Sequence, residues 1–96
     1  MSRLRLVPAA KADLDLIWTS STERWGIDQA ESYIRLLGQT LRSLAETPGL
    51  GRAVEDVRPG YFKFPNASHV IFYRKTSAGI EVIRILHKSM DVDRHL

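Results

Sequence analysis

The chain has no cysteine among its 96 residues. That excludes disulfide bonds and thiolate metal sites, and it suits a reducing cytoplasm, where the protein is expected to act. No apolar run approaches the ~20 residues that a membrane span needs. The N-terminal stretch MSRLRLVPAAKADLDLIW lacks the apolar segment of a signal peptide, so neither export nor membrane contact is expected. Internal repeats and low-complexity segments are absent too. There is no glycine-rich phosphate loop, because GLGR at 49–52 is only a turn signal. A strong charge imbalance is also missing. The net charge is +3, with six basic and six acidic side chains in residues 1–48 and eight basic and five acidic in residues 49–96. A cationic second half is compatible with nucleic acid or an acidic protein partner, but a surplus this small is ordinary for a soluble surface. No direct contact with nucleic acid is therefore expected. What remains is a globular composition, 44% apolar and 26% charged, at a length that fits one domain over residues 1–96.

Residues 3–7, RLRLV, alternate basic and apolar, which predicts a short strand with Leu4 and Leu6 inward. Pro8 suits the first turn of a helix, where its missing N–H costs nothing. In that helix Leu14, Ile17, Trp18, Ser21 and Trp25 fall on one face, and both tryptophans read as core rather than as platforms for stacked bases. Gly26 is a helix stop. Asp28 and Glu31 have capping-box spacing for a second helix. Its apolar stripe is the cleanest pattern present: Ala30, Tyr33, Ile34, Leu37, Leu41, Leu44 and Ala45. Pro48 and Gly49 end it, and the short link makes the two helices an antiparallel hairpin.

The period then changes. Residues 48–60 read as a loop, followed by strands at YFKF, HVIFYRK and IEVIRILHK, an antiparallel meander with tight turns. The last two strands carry apolar residues at both even and odd positions, which predicts central strands covered on both faces. The hairpin covers one face. The other is left to a partner or to the 48–60 loop and the C-terminal tail. The fold class is α+β: a strand, an antiparallel helical hairpin, then a three-stranded antiparallel meander.

This order resembles the ParE/RelE superfamily of bacterial toxins. AKADLDLIWTSSTERWG (10–26), QAESYIRLLGQTLRSLAETPGLGR (29–52) and VIRILHKSMD (82–91) look like its ParE branch. The combination of W-G, P-G-x-G-R and a strand ending R-I-L-H-x-x-M-D carries the likeness over nearly the whole chain. The resemblance implies the toxin of a type II toxin–antitoxin module. Such a toxin stalls DNA gyrase by binding it and is silenced by a ParD-like antitoxin whose disordered tail folds onto it. The RelE branch implies a different activity, cleavage of messenger RNA on the ribosome.

Cutting RNA needs a base, an acid and cations that steady the phosphate. Arg74, Arg84, Lys88, Arg58 and Lys63 are candidate cations, and His87 is the side-chain type suited to acid–base work. However, KSMDVDRHL lacks the late tyrosine of that branch, and Tyr61 and Tyr73 sit in earlier strands. Arg84 and His87 differ in parity, so a regular strand points them to opposite faces. His87 at a strand end also reads as a histidine bonded to backbone, and His69 and His95 as surface or edge residues. Arg84, interrupting the even face of Ile80, Val82 and Leu86, reads first as half of a structural ion pair. His87, Asp91 and His95 would make a metal site only on a continuous helix, so no metal or cofactor is expected. The binding reading is therefore preferred to catalysis. The gyrase surface would comprise Arg84, His87, Lys88, Met90, Asp91 and Arg94, a cationic rim around an adaptable methionine. The antitoxin would lie in an apolar groove between hairpin and sheet, edged by Leu4, Leu6, Trp18 and Tyr33.

Overall fold

The computed structural model describes residues 3–96. Strand β1 (Arg3–Leu6) leads into helix α1 (Pro8–Trp25) and helix α2 (Ile27–Glu46). A 3₁₀ turn (Pro48–Leu50) precedes the short strand β2 (Arg52–Ala53), then β3 (Tyr61–Asn66), β4 (His69–Lys75), β5 (Gly79–His87) and a last turn of helix, α3 (Val92–His95). The sheet runs β1-β5-β4-β3-β2. The meander β3–β4–β5 is antiparallel, as the alternation predicts, and β1 joins it parallel to β5. The 48–60 segment is more than a loop: its β2 extends the sheet by pairing antiparallel with β3, Arg52 opposite Lys63 and Ala53 opposite Phe62.

The helices form by local signals. Pro8 stands at the start of α1, where no N–H is needed. Gly26 is the whole link between the two helices, and its φ of 89° is a conformation that L side chains rarely adopt. Because the link is one residue, Gly26 is also the N-cap of α2, and Asp28 already lies inside the first turn with no side-chain capping bond. The expected capping box is therefore not formed, although an acidic residue there still favours the positive end of the helix dipole. The α2 stripe holds: Ala30, Leu37, Leu41, Leu44 and Ala45 are buried, and Tyr33 and Ile34 pack against the core.

On α1 the buried positions are Ala10, Asp13, Ile17 and Ser21, a stripe rotated from the expected one. Leu14 is half-buried against the core, but Trp18 and Trp25 are 38% and 39% exposed. The reading of both tryptophans as core is thus corrected. The inward stripe includes Asp13, a charge that a hydrophobicity pattern assigns to the outer face.

Strand β5 has one irregularity. Val82 pairs with Tyr73 and Arg84 with Phe72, so Ile83 is the extra residue of a β-bulge. The bulge reverses the alternation. Ile80 and Val82 before it, and Ile85 after it, all join the core with Ile71, Tyr73 and the helices. The expected continuous even face of Ile80, Val82 and Leu86 does not exist. Phe72 and Leu86 are also buried, but they lie on the face away from the helices, opposite Arg84 and Val70 respectively. The loop and the tail meet over this second face: Arg58 Nε donates to Leu96 O at 2.9 Å, and Arg84 Nη1 to His95 O at 3.2 Å.

Candidate functional site

The C-terminal half of α1 faces the start of β4 and the end of β5, and a groove of about 650 Å³ opens between them. Its apolar wall is Leu16, Ile17, Trp25, Ile85 and Met90; Arg24, Ser68, His69, His87 and Ser89 are among its polar groups. Three of the apolar residues stand out into solvent: Leu16 is 65% exposed, Met90 45% and Trp25 39%.

Below the groove lies an ion pair that ties α1 to β5. β1 ends at Leu6 opposite Val82, so the edge of β5 is open beyond that point. Asp13, buried on α1, fills the gap. Its Oδ2 accepts the Ile85 backbone N–H at 2.9 Å and Arg84 Nε at 2.8 Å, and its Oδ1 accepts Arg84 Nη2 at 2.8 Å. The carboxylate thus acts as the missing strand while it neutralises the guanidinium. Those bonds hold the Arg84 pKa above its ordinary value, against the smaller opposing effect of burial.

A chain of rings crosses from the helices to the sheet. Trp25 and Tyr33 have centroids 6.0 Å apart, Tyr33 and His69 5.5 Å, and His69 and His87 meet edge to face at 5.4 Å. The Tyr33 hydroxyl lies 2.6 Å from His69 Nδ1 and 3.1 Å from the Asn66 carbonyl oxygen. His87 Nδ1 lies 2.7 Å from Ser89 Oγ and accepts the Ser89 backbone N–H at 3.2 Å. Burial pushes the His69 pKa down, and the neighbouring His87 pushes it the same way. Tyr33 is pushed up by burial, with hydrogen bonding to Asn66 and Ser68 opposing the shift.

The structure brings together some of the residues singled out from sequence and separates others. His87 and Met90 line the groove, and Tyr33 supports it through His69. Lys88 is exposed beside it, Arg94 is exposed on α3, and Asp91 caps α3 by accepting the Asp93 N–H. Arg84 is committed to Asp13, so its structural-pair reading holds, with a carboxylate 71 positions away. It also lies on the opposite face from His87, since residues 84–87 pair without interruption. Leu4 and Leu6 pack into the core from β1, and Trp18 is not part of the groove wall. His87 ends β5 while Asp91 caps α3, so His87, Asp91 and His95 do not share one helix face. Among the described residues, no group of three histidines or carboxylates could hold a metal ion.

Several groove residues were not singled out from the sequence, among them Asp13, Leu16 and Arg24, while His69, read as a surface or edge residue, is half-buried beside His87. One signal was available for Asp13, a charge in register with Ala10, Ile17 and Ser21.

Comparison with known proteins agrees with this architecture. The family model described as the ParE toxin of the type II toxin–antitoxin system parDE matches residues 4–92. The chain is 50% identical over 96 residues to Toxin ParE1 of Mycobacterium tuberculosis, covering 99% of this chain and 98% of that one. It is 48% identical over 96 residues to Toxin ParE1 of Caulobacter vibrioides, covering 100% and 99%. A solved chain described as part of a chromosomal ParDE TA system from P. aeruginosa shares the fold, with a TM-score of 0.78 at 20% identity over 91% of this chain and 96% of that one. The sequence motifs, the strand–hairpin–sheet order and these matches all place the chain in one family: it belongs to the ParE toxins of type II toxin–antitoxin systems.

Proposed function

We propose that this toxin acts by binding and not by breaking bonds: it inhibits DNA gyrase by protein–protein contact and is silenced by a ParD-like antitoxin. The observation that carries the reading is the ring of exposed apolar side chains, Leu16, Trp25 and Met90, around a groove with a polar rim. Apolar anchors surrounded by polar groups are the anatomy of a protein interface. An amphipathic antitoxin tail that orders on binding fits such a groove. In this reading the antitoxin's edges are Leu16, Trp25 and Met90, with Tyr33 behind them, and not Leu4, Leu6 and Trp18. The gyrase surface is His87, Lys88, Met90, Asp91 and Arg94, which Arg84 supports from its place on Asp13. His87 and Met90 belong to both surfaces, so an antitoxin in the groove excludes gyrase by occupying shared ground.

One observation favours the ribonuclease reading of the RelE branch. Two imidazoles face each other at the groove, as an acid–base pair would require. Four of the five candidate cations are elsewhere, however; Lys88 stands beside the groove and Arg24 lines it. Arg84 is held by Asp13 and Arg58 by the tail, while Lys63 and Arg74 pair on the sheet face opposite to His69 and His87.

Gyrase supercoiling with purified toxin separates the two. Wild-type protein should block supercoiling and leave ribosome-bound messenger RNA intact. His87→Ala should shift the inhibition curve to higher concentration and recover full inhibition at saturation. A variant that still binds its target but stays inactive at saturation, by about 10²–10⁴-fold, would overturn the binding reading. For the antitoxin, hydrogen exchange should slow in residues 16–25 and 85–90 on complex formation, and no slowing there sinks this placement.

A further inference from the structure

The pairing register sorts the charged side chains of the sheet by face. Arg5, Glu81, Arg74 and Tyr61 stand side by side across β1, β5, β4 and β3. Arg5 and Arg74 both bond to Glu81, at 3.4 Å and 2.7 Å, which places all three on one face. The next row is Arg84, Phe72, Lys63 and Arg52. Arg3 lies two residues before Arg5 and so shares its side. This is the face turned away from α1 and α2, since Ile71, Tyr73, Val82 and Ile85 point to the helices. The tail covers its Phe72–Leu86 part, but Arg3, Arg5, Arg52, Lys63 and Arg74 are all exposed.

The fold therefore separates charges that the sequence mixes. The five strands carry seven basic side chains and one acidic, while α1 and α2 carry four basic and six acidic. A modest net charge hides a cationic sheet and an acidic helical layer. Apolar exposure is divided the other way. Among the described residues Leu16, Trp18, Trp25, Ile27, Leu36, Leu50 and Met90 are the exposed large apolar ones, and none is on a strand. A protein partner would need a large apolar anchor on the sheet face, and beyond Pro65 and the half-buried Val70 the face offers none. Single-stranded nucleic acid would need aromatic platforms for its bases, and only the half-buried Tyr61 is at hand. A lattice of cations alone suits the evenly charged backbone of a duplex.

We infer that the sheet face away from the helices binds the phosphate backbone of duplex DNA, without reading its sequence and without cutting it. This departs from the expectation of no nucleic-acid contact, which rested on the total charge. It is also independent of the gyrase reading, because it uses the opposite face from the groove. From β2 to β1 the face spans four strand spacings, roughly 19 Å at ~4.8 Å each. That is room for about five phosphates at ~3.4 Å per strand, a match to five exposed cations.

The test is fluorescence anisotropy of a labelled 30-base-pair duplex of arbitrary sequence, titrated with free toxin from 50 to 200 mM salt. With four to five phosphates engaged, the plot of log affinity against log salt should have a slope of about −4, a loss of about 10²-fold across that range. The variant Arg3→Gln/Arg52→Gln/Lys63→Gln removes three exposed cations; its circular dichroism should be that of wild type. Its slope should fall to about −1 to −2, at ~0.9 per phosphate, and its affinity at 50 mM salt at least tenfold. The helix-layer variant Arg35→Gln/Arg42→Gln should bind as wild type. The inference is overturned by absence of binding at 50 mM salt, by an unchanged slope in the sheet variant, by an equal loss in the helix variant, or by tighter binding of single-stranded RNA of the same length.

Discussion

Asp13→Ala should be among the most damaging single substitutions in this protein, although the residue belongs to no apolar cluster. The carboxylate makes two bonds with the Arg84 guanidinium and one with the Ile85 backbone N–H. Removing it orphans a buried donor, at about 1–3 kcal/mol, and two charge-assisted bonds worth about 1.5–3 kcal/mol each in net terms. Breaking a buried pair from one side typically costs about 3–5 kcal/mol in full. Arg84 keeps 23% of its side chain in solvent, so water recovers part of that loss, and about 3 kcal/mol is the expected cost. A domain of this length has about 5–14 kcal/mol in total. Urea unfolding should therefore show a midpoint far below wild type with an unchanged m-value, and melting should fall by roughly 12–24 °C. Asp13→Asn keeps one acceptor and should cost less, about 1–2 kcal/mol. Hydrogen exchange localises the effect: the Ile85 amide should lose protection ahead of the Val82 region. An Asp13→Ala loss below about 1 kcal/mol would refute the claim that this carboxylate completes the edge of β5.

Leu41, 3% exposed in the middle of the α2 stripe, should cost about 2–5 kcal/mol on change to alanine; a loss under ~1 kcal/mol in urea titration would mean the stripe is not packed. Gly51→Ala should fail for lack of space, since an added Cβ would overlap the Tyr73 hydroxyl that accepts the Gly51 N–H; a melting temperature equal to wild type would contradict this. The lowered pKa of His69, caused first by burial and then by His87, makes the unfolded chain bind the proton more readily than the folded one. Stability is then fully present above the ordinary histidine value of about 6.5 and lost as pH falls through it towards the lowered folded value. Melting between pH 7.5 and 5 should show this drop, and His69→Gln should flatten it; an equally steep drop in the variant would assign the proton elsewhere.

The helices and strands were legible because their signals are local. The α2 stripe depends on a 3.6-residue period within twenty residues, and every position read from it is buried or half-buried. Pro8 by its fixed φ and Gly26 by its freedom to take a positive φ bound α1, and the meander follows from alternation and tight turns. The family signature is likewise carried by short stretches of sequence. What tertiary structure alone decided are the matters that join distant residues. Trp18 and Trp25 face out because α1 turns Asp13 inward to meet Arg84 and Ile85, 71 and 72 positions away. The bulge at Ile83 reversed which face of β5 meets the core, and a bulge leaves no mark in an apolar run that reads the same in either register. The groove exists only where the end of α1 meets β4 and β5, and the register of that strand pair is what makes neighbours of His69 and His87. The cationic sheet face is of the same kind. Total charge is a sum over residues, but a field depends on where they stand, and only the strand register put basic side chains from all five strands on one side.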